Sequence, residues 1–78
     1  MKDLVQYLAK ALVNNPAAVQ VEETADDDGW NLKLTVAKED LGRIIGKQGR
    51  TAKSIRTLVN AAAARSNRRV TLEIVEEN

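Results

Sequence analysis

A chain of 78 residues with neither cysteine nor histidine has room for one modest core, and lacks disulfides, thiolate chemistry, the usual zinc ligands and the commonest general base. Its formal net charge of +1 hides a division: residues 1–40 hold four cations against eight acids, and residues 41–78 hold eight cations against three acids. No acid at all occurs from Leu41 to Leu72, so this half carries a local positive field of the kind that attracts polyanions.

Leu4, Val5, Leu8 and Leu12 recur at helical spacing, with Lys2, Gln6 and Lys10 outside the stripe, and predict a helix over about 2–14. Asn14-Asn15-Pro16 ends it, because proline disfavours helix in the residue before it and donates no N–H. Residues 18–24 alternate, with Val19 and Val21 opposing Gln20, Glu22 and Thr24. Residues 30–36 alternate again, with Trp30, Leu32, Leu34 and Val36 opposing Asn31, Lys33 and Thr35. Between them, Ala25-Asp26-Asp27-Asp28-Gly29 has turn chemistry, so the pair reads as an antiparallel hairpin with one buried face.

Lys38-Glu39-Asp40 opens a short helix whose carboxylates suit its positive end, and Leu41, Ile44 and Ile45 form its apolar face. Gly46 and Gly49 interrupt the pattern. A longer helix over about 50–66 puts Ala52, Ile55, Val59, Ala62 and Ala63 on one stripe and Arg50, Lys53, Thr57 and Asn60 on another. Ser66-Asn67 breaks it. Val70, Leu72 and Ile74 then alternate with Thr71, Glu73 and Val75 in a last strand, before a solvated acidic tail over 76–78. The order α-β-β-α-α-β predicts an α+β domain spanning 1–78, with a three-stranded mixed sheet covered on one face by three helices. Its other face, bearing Gln20, Glu22, Asn31, Lys33, Thr35, Thr71 and Glu73, is polar enough to meet water.

Function concentrates in the basic stretch 42–56, around Gly46-Lys47-Gln48-Gly49. Two glycines three apart let the backbone turn tightly and approach a ligand without an intervening Cβ. The helix that follows aims its unpaired N–H groups and positive dipole end at the loop, which suits phosphate. Lys47, Arg50 and Lys53 ring the loop, with Arg43 and Arg56 nearby. Glycines between helices usually serve only as a cap and turn. A cap needs neither a lysine inside it, nor acid-free basic flanks, nor the Ile44-Ile45 pair before it.

Ile45-Gly46-Lys47-Gln48-Gly49 followed by Ile55 resembles the signature of KH domains, whose GXXG loop clamps about four nucleotides of single-stranded backbone. The element order resembles the bacterial, type II form of that fold. Met1-Lys2-Asp3-Leu4-Val5, Asn15-Pro16, Gly46 to Arg50 and Ala52-Lys53 are similar to the small stand-alone bacterial members, over nearly the whole chain. Ala52 departs from the isoleucine many KH domains carry there, which leaves the groove less filled. The resemblance implies single-stranded RNA as partner, with Gly46 and Gly49 against the sugar–phosphate backbone and Lys47, Gln48 and Arg50 on phosphates. Arg43, Lys53 and Arg56 would guide the strand. Ile44 or Ile45, with Ile55, would supply an apolar floor for bases, at least one of the isoleucines also serving the core, and for Ile55 the plain core role is the better reading. It also implies a homodimer or a complex with a larger KH-containing RNA-binding protein, and a post-transcriptional or RNA-chaperone role tied to cell-envelope growth and division.

Other features have plainer explanations. Trp30 shares the parity of Leu32 and Leu34 and reads as core. The Asp26–Asp28 run lacks a calcium-loop continuation and reads as a solvated turn, so no metal is expected. Arg65, Arg68 and Arg69 either extend the basic surface or cap the last helical turn. Two alternatives remain: a protein-interaction or dimerisation domain using the Gly46–Gly49 face, and a helix-turn-helix DNA binder reading through Arg50, Thr51 and Lys53. Ser54, Ser66 and the threonines have no histidine to activate them, and no Gly-Lys-Ser/Thr P-loop occurs, so neither catalysis, a cofactor nor a small-molecule substrate is expected. No apolar run nears the roughly 20 residues that span a bilayer, and no charged-then-apolar leader opens the chain, which points to the cytoplasm.

Overall fold

The computed structural model describes residues 1–77; of the predicted acidic tail, Asn78 lies outside the described residues. Three helices, α1 (Lys2–Leu12), α2 (Leu41–Ile45) and α3 (Arg50–Ala64), cover one face of a sheet built from β1 (Gln20–Ala25), β2 (Gly29–Val36) and β3 (Arg69–Glu76). The order across the sheet is β1-β2-β3. The β1–β2 hairpin is antiparallel and β3 runs parallel to β2, as a crossover through two helices requires. This is the mixed α+β architecture expected of a type II KH domain.

Alternation decides which strand residues are buried. Val21, Leu34 and Ile74 share one row of the register facing the helices, while Glu22, Lys33 and Glu73 share the next row facing water. From the helices, Val5 and Ala9 of α1, Ile44 of α2, and Ala52, Ile55, Val59 and Ala63 of α3 close the core. Alanine at three of these α3 and α1 positions lets the helices lie close to one another and to the sheet.

Several boundaries differ from expectation. Helix α1 stops at Leu12 rather than 14, with Val13 already extended at φ −96°, ψ 159°. The reason lies far away in sequence. The carboxylate of Asp40 accepts the N–H groups of Asn14 and Asn15, at 3.0 Å each, and draws the chain off the helix axis. Asp40 therefore does not serve its own helix, as the carboxylate-at-the-N-terminus expectation had it. It is fully buried, α2 has no side-chain cap, and Lys38–Asp40 is a separate 3-10 turn. Pro16–Ala18 forms a second such turn.

Helix α3 stops at Ala64 rather than 66. Asn67 takes φ +58°, the Asn67 N–H bonds the Ala64 carbonyl at 3.1 Å, and the Arg68 N–H bonds the Ala63 carbonyl at 3.4 Å. These are the paired bonds of a Schellman termination with asparagine in the left-handed position. The helix end is thus closed by backbone, not by the arginines.

Arg68 instead crosses to the β1–β2 hairpin. Its guanidinium donates to the Asp26 carbonyl at 2.9 Å and lies 4.8 Å from the centre of the Trp30 ring. Trp30 is half-buried under this cation, at the rim rather than the middle of the core. In the turn, Asp26 Oδ1 accepts the N–H groups of Asp28 and Gly29 at 2.9 Å, and Oδ2 accepts the Asn31 amide at 3.1 Å. The hydrogen bond from Gly29, then those from Asn31 and Asp28, hold the Asp26 carboxyl below its ordinary value.

Candidate nucleic-acid interface

Between α2 and α3 the backbone runs through conformations that L side chains resist. Gly46 sits at φ 77°, ψ 173°, a region open essentially to glycine, and its N–H still closes α2 on the Gly42 carbonyl at 2.8 Å. A Cβ there would come within 2.8 Å of the Thr51 backbone nitrogen and press on the Thr51 side chain. Gly49 lies in the left-handed region at φ 75°, ψ 11°, with open space where a Cβ would go. Gln48, at φ 57°, ψ 27°, is also left-handed, so three of the four loop residues, Gly46, Gln48 and Gly49, take positive φ. Thr51 tucks beneath Gly46 and is half-buried, which removes it from the outward face a DNA-reading helix would need.

Helix α3 starts without a side-chain cap and without an acid in its first turn, leaving the positive end of a 15-residue helix uncompensated beside Gly49. Lys47, Gln48, Arg50 and Lys53 are exposed. The Arg50 guanidinium donates to Gln48 Oε1 at 3.2 Å, bridging the loop to the helix. Among the described residues neither the Lys47 nor the Lys53 ammonium has an ion-pair partner. Arg43 is exposed and lies 3.9 Å from Asp40, a long contact at the edge of an ion pair.

Ile44 and Ile45 divide the two roles that the pair left open: Ile44 is wholly buried, and Ile45 is 36% exposed at the mouth of the loop. Ile55 and Ala52 are core residues on the buried side of α3. Arg56 sits farther along α3 and reaches the Leu72 carbonyl of β3 at 3.5 Å. It straddles a cleft of about 220 Å³ between α3 and β3, lined by Arg56, Val59, Asn60, Val70, Thr71 and Leu72. The open edge of β3 forms one wall, because β2 pairs only its other side.

The structure therefore gathers Ile45, Gly46, Lys47, Gln48, Gly49, Arg50 and Lys53 at one end of the molecule, with Arg56 on the adjoining cleft and Arg43 on α2. Arg68 belongs to the hairpin clamp instead, while Arg65 and Arg69 are exposed near the opposite end of α3. Asp40 was missed as a residue that positions the site. Its carboxylate ties the end of α1 to the start of α2, and nothing in local sequence marks a contact 25 and 26 residues away.

An α-β-β-α-α-β domain with a glycine-opened, cation-ringed turn between its second and third helices is a KH-type domain. The family model described as KhpA/KhpB, KH domain, matches residues 2–74, and the chain belongs to that family. It is 51% identical over 75 residues to the RNA-binding protein KhpA of Clostridium acetobutylicum, covering 96% of this chain and 100% of that one. It is 52% identical, with the same coverage, to the RNA-binding protein KhpA of Caldanaerobacter subterraneus. The namesake of Chlamydia caviae is 48% identical over 99% of both chains. Among solved structures, Era in complex with MgGDPNP and nucleotides 1506–1542 of 16S ribosomal RNA superposes with a TM-score of 0.60 at 25% identity. The match covers 96% of this chain and 29% of the Era chain.

Proposed function

We propose that this protein binds single-stranded RNA, clamping the sugar–phosphate backbone on the Gly46–Gly49 loop and laying the following bases into the α3–β3 cleft. The observation that carries this reading is the bare, left-handed backbone between α2 and α3, set against an uncompensated helix N-terminus and the free cations Lys47 and Lys53. Phosphate oxygens would accept from the loop N–H groups, from Lys47 and Arg50, and from the Gln48 amide. Lys53, Arg56 and Arg43 would steer the strand, and Ile45 would meet the first base. Family membership and the printed names of the KhpA relatives support the same ligand.

Replacing Lys47 and Gln48 together by aspartate tests it. Both are exposed, and aspartate tolerates the left-handed torsions of Gln48, so folding should change by no more than about 0.5 kcal/mol. Fluorescence anisotropy with labelled single-stranded RNA should show binding lost while circular dichroism stays native. Retained binding would leave the loop a turn and nothing more.

The resemblance further supports a post-transcriptional regulator or RNA chaperone connected with envelope growth, acting as a homodimer or with a larger KH-containing protein. Self-association finds support in two side chains on the helical side of the molecule, Tyr7 of α1 at 72% exposed and Leu58 of α3 at 52%. Among the described residues no helix is long and apolar enough to cross a membrane.

A further inference from the structure

Gly46 is the point from which the loop hangs. Its N–H closes α2 on the Gly42 carbonyl at 2.8 Å, and its own carbonyl accepts the Gly49 N–H at 3.2 Å. Between these two bonds lie Lys47 and Gln48, whose N–H groups find no acceptor among the described residues. Two adjacent free amides beside an uncapped helix start are where a phosphate oxygen would be received. The ψ of Gly46, 173°, sets the plane of the peptide joining it to Lys47, and with it the direction of the Lys47 N–H. Whatever fixes Gly46 therefore fixes the clamp.

Thr51, the second residue of α3, is packed against Gly46 from below. A methyl built on Gly46 would run into the Thr51 hydroxyl and come within 2.6 Å of the Thr51 Cβ, so the two residues leave no slack between them. The hydroxyls of Thr24 and Thr57 donate to backbone carbonyls, whereas that of Thr51 makes no hydrogen bond among the described residues. Helix propensity gives no reason for threonine here, since alanine is the better helix former. Shape does. A β-branched side chain is stiff at χ1 and cannot swing aside when the loop above presses on it.

We propose that Thr51 is a positioning residue for the RNA clamp: its branched side chain, seated under Gly46, holds the loop in the conformation that leaves the Lys47 and Gln48 N–H groups free for phosphate. It acts by bulk, through Gly46, and touches no RNA. The proposal rests on the RNA-binding reading, and the experiment separates the two.

The test compares Thr51→Ala, Thr51→Val and Thr51→Ser in the full chain, by fluorescence anisotropy with a labelled oligouridine over a range of salt concentrations. Thr51→Ala removes the branch and should weaken binding about tenfold, the equivalent of one hydrogen bond to a charged phosphate oxygen. The slope of log K against log salt should stay that of the unsubstituted chain, because every cation is still in place. Simple loss of fold would instead lower the fraction of molecules that bind, leaving the dissociation constant of the rest unchanged. Thr51→Val keeps the branch without the hydroxyl and should bind within about twofold of the unsubstituted chain. Thr51→Ser keeps the hydroxyl without the branch and should be as weak as Thr51→Ala. Full affinity in Thr51→Ala would overturn the proposal, and so would the reverse pattern, serine retaining affinity and valine losing it, which would make the hydroxyl an RNA contact. If Thr51→Ala does not fold, the valine and serine variants decide between shape and hydroxyl by themselves. Failure of the unsubstituted chain to bind the oligouridine would overturn RNA binding, and this role with it.

Discussion

Gly46 and Gly49 share a positive φ, and they differ in everything else. At Gly49 the demand is torsional, and alanine there costs about 1 kcal/mol, the usual penalty for a left-handed L residue. At Gly46 the extended positive-φ backbone excludes L residues, and the Thr51 backbone stands where a methyl would go. Gly46→Ala should therefore cost about 3 kcal/mol, the upper end for a strained residue, because the collision adds to the torsional penalty. Urea denaturation of the two variants should rank them in that order, and equal midpoints would mean the loop relaxes without regard to Thr51. Asp26 makes a second single-residue test. Its carboxyl is lowered in the folded chain, so its ionised form adds stability above the ordinary value of 3.8, and that contribution is lost as pH falls through the folded-state value. Asp26→Asn keeps an acceptor but cannot titrate. The melting-temperature advantage of the natural chain over this variant, present at neutral pH, should shrink as pH drops below 3.8.

At the scale of elements, two long-range ties hold the helices and the hairpin in place, and neither is a hydrophobic contact. Asp40 joins α1 to α2 through the Asn14 and Asn15 N–H groups; Arg68 joins the end of α3 to the β1–β2 turn. Removing the first leaves two amides without their charged acceptor. Asp40→Ala should cost about 3–6 kcal/mol, summing two bonds to a buried carboxylate, and should loosen α2 against α1. Hydrogen exchange should speed at 12–15 and 41–46 before it speeds in the sheet; uniform loss of protection would mean Asp40 acts on global stability alone. The same two ties mark what the sequence could and could not convey. Periodicity located every helix and strand, because burial of Val5, Leu34, Ile55 and Leu72 follows directly from spacing. The ends at Leu12 and Ala64 were beyond it. Each is set by a partner distant in sequence or by a left-handed asparagine, and neither leaves a periodic trace. The loop Gly46–Gly49 was legible because its glycines and cations are adjacent in sequence. The α3–β3 cleft was not, because its walls come from residues on two elements whose register only the parallel pairing fixes.

On the scale of the whole molecule, charge is arranged by end and by face. The acid-free stretch from Leu41 to Leu72 does not form one continuous basic surface. Arg68 is committed to the hairpin beside Asp26, and Arg69 adjoins Asp28, so the aspartate-rich turn offsets the positive field at that end. The field that a phosphate chain would meet is concentrated at the opposite end of α3, around Lys47, Arg50 and Lys53. If those three cations each neutralise one phosphate, counterion release requires log K to fall with log salt at a slope near −2, at about −0.7 per contact on a single strand. Lys47→Gln removes one contact and should reduce the slope to about −1.4, whereas Arg68→Gln should leave the slope unchanged while weakening the fold. Titrations over a range of salt concentrations read this directly. A slope that responds equally to both substitutions would mean the strand follows the full length of the arginine-rich half, and the offset by the hairpin aspartates would then be too weak to direct it to one end.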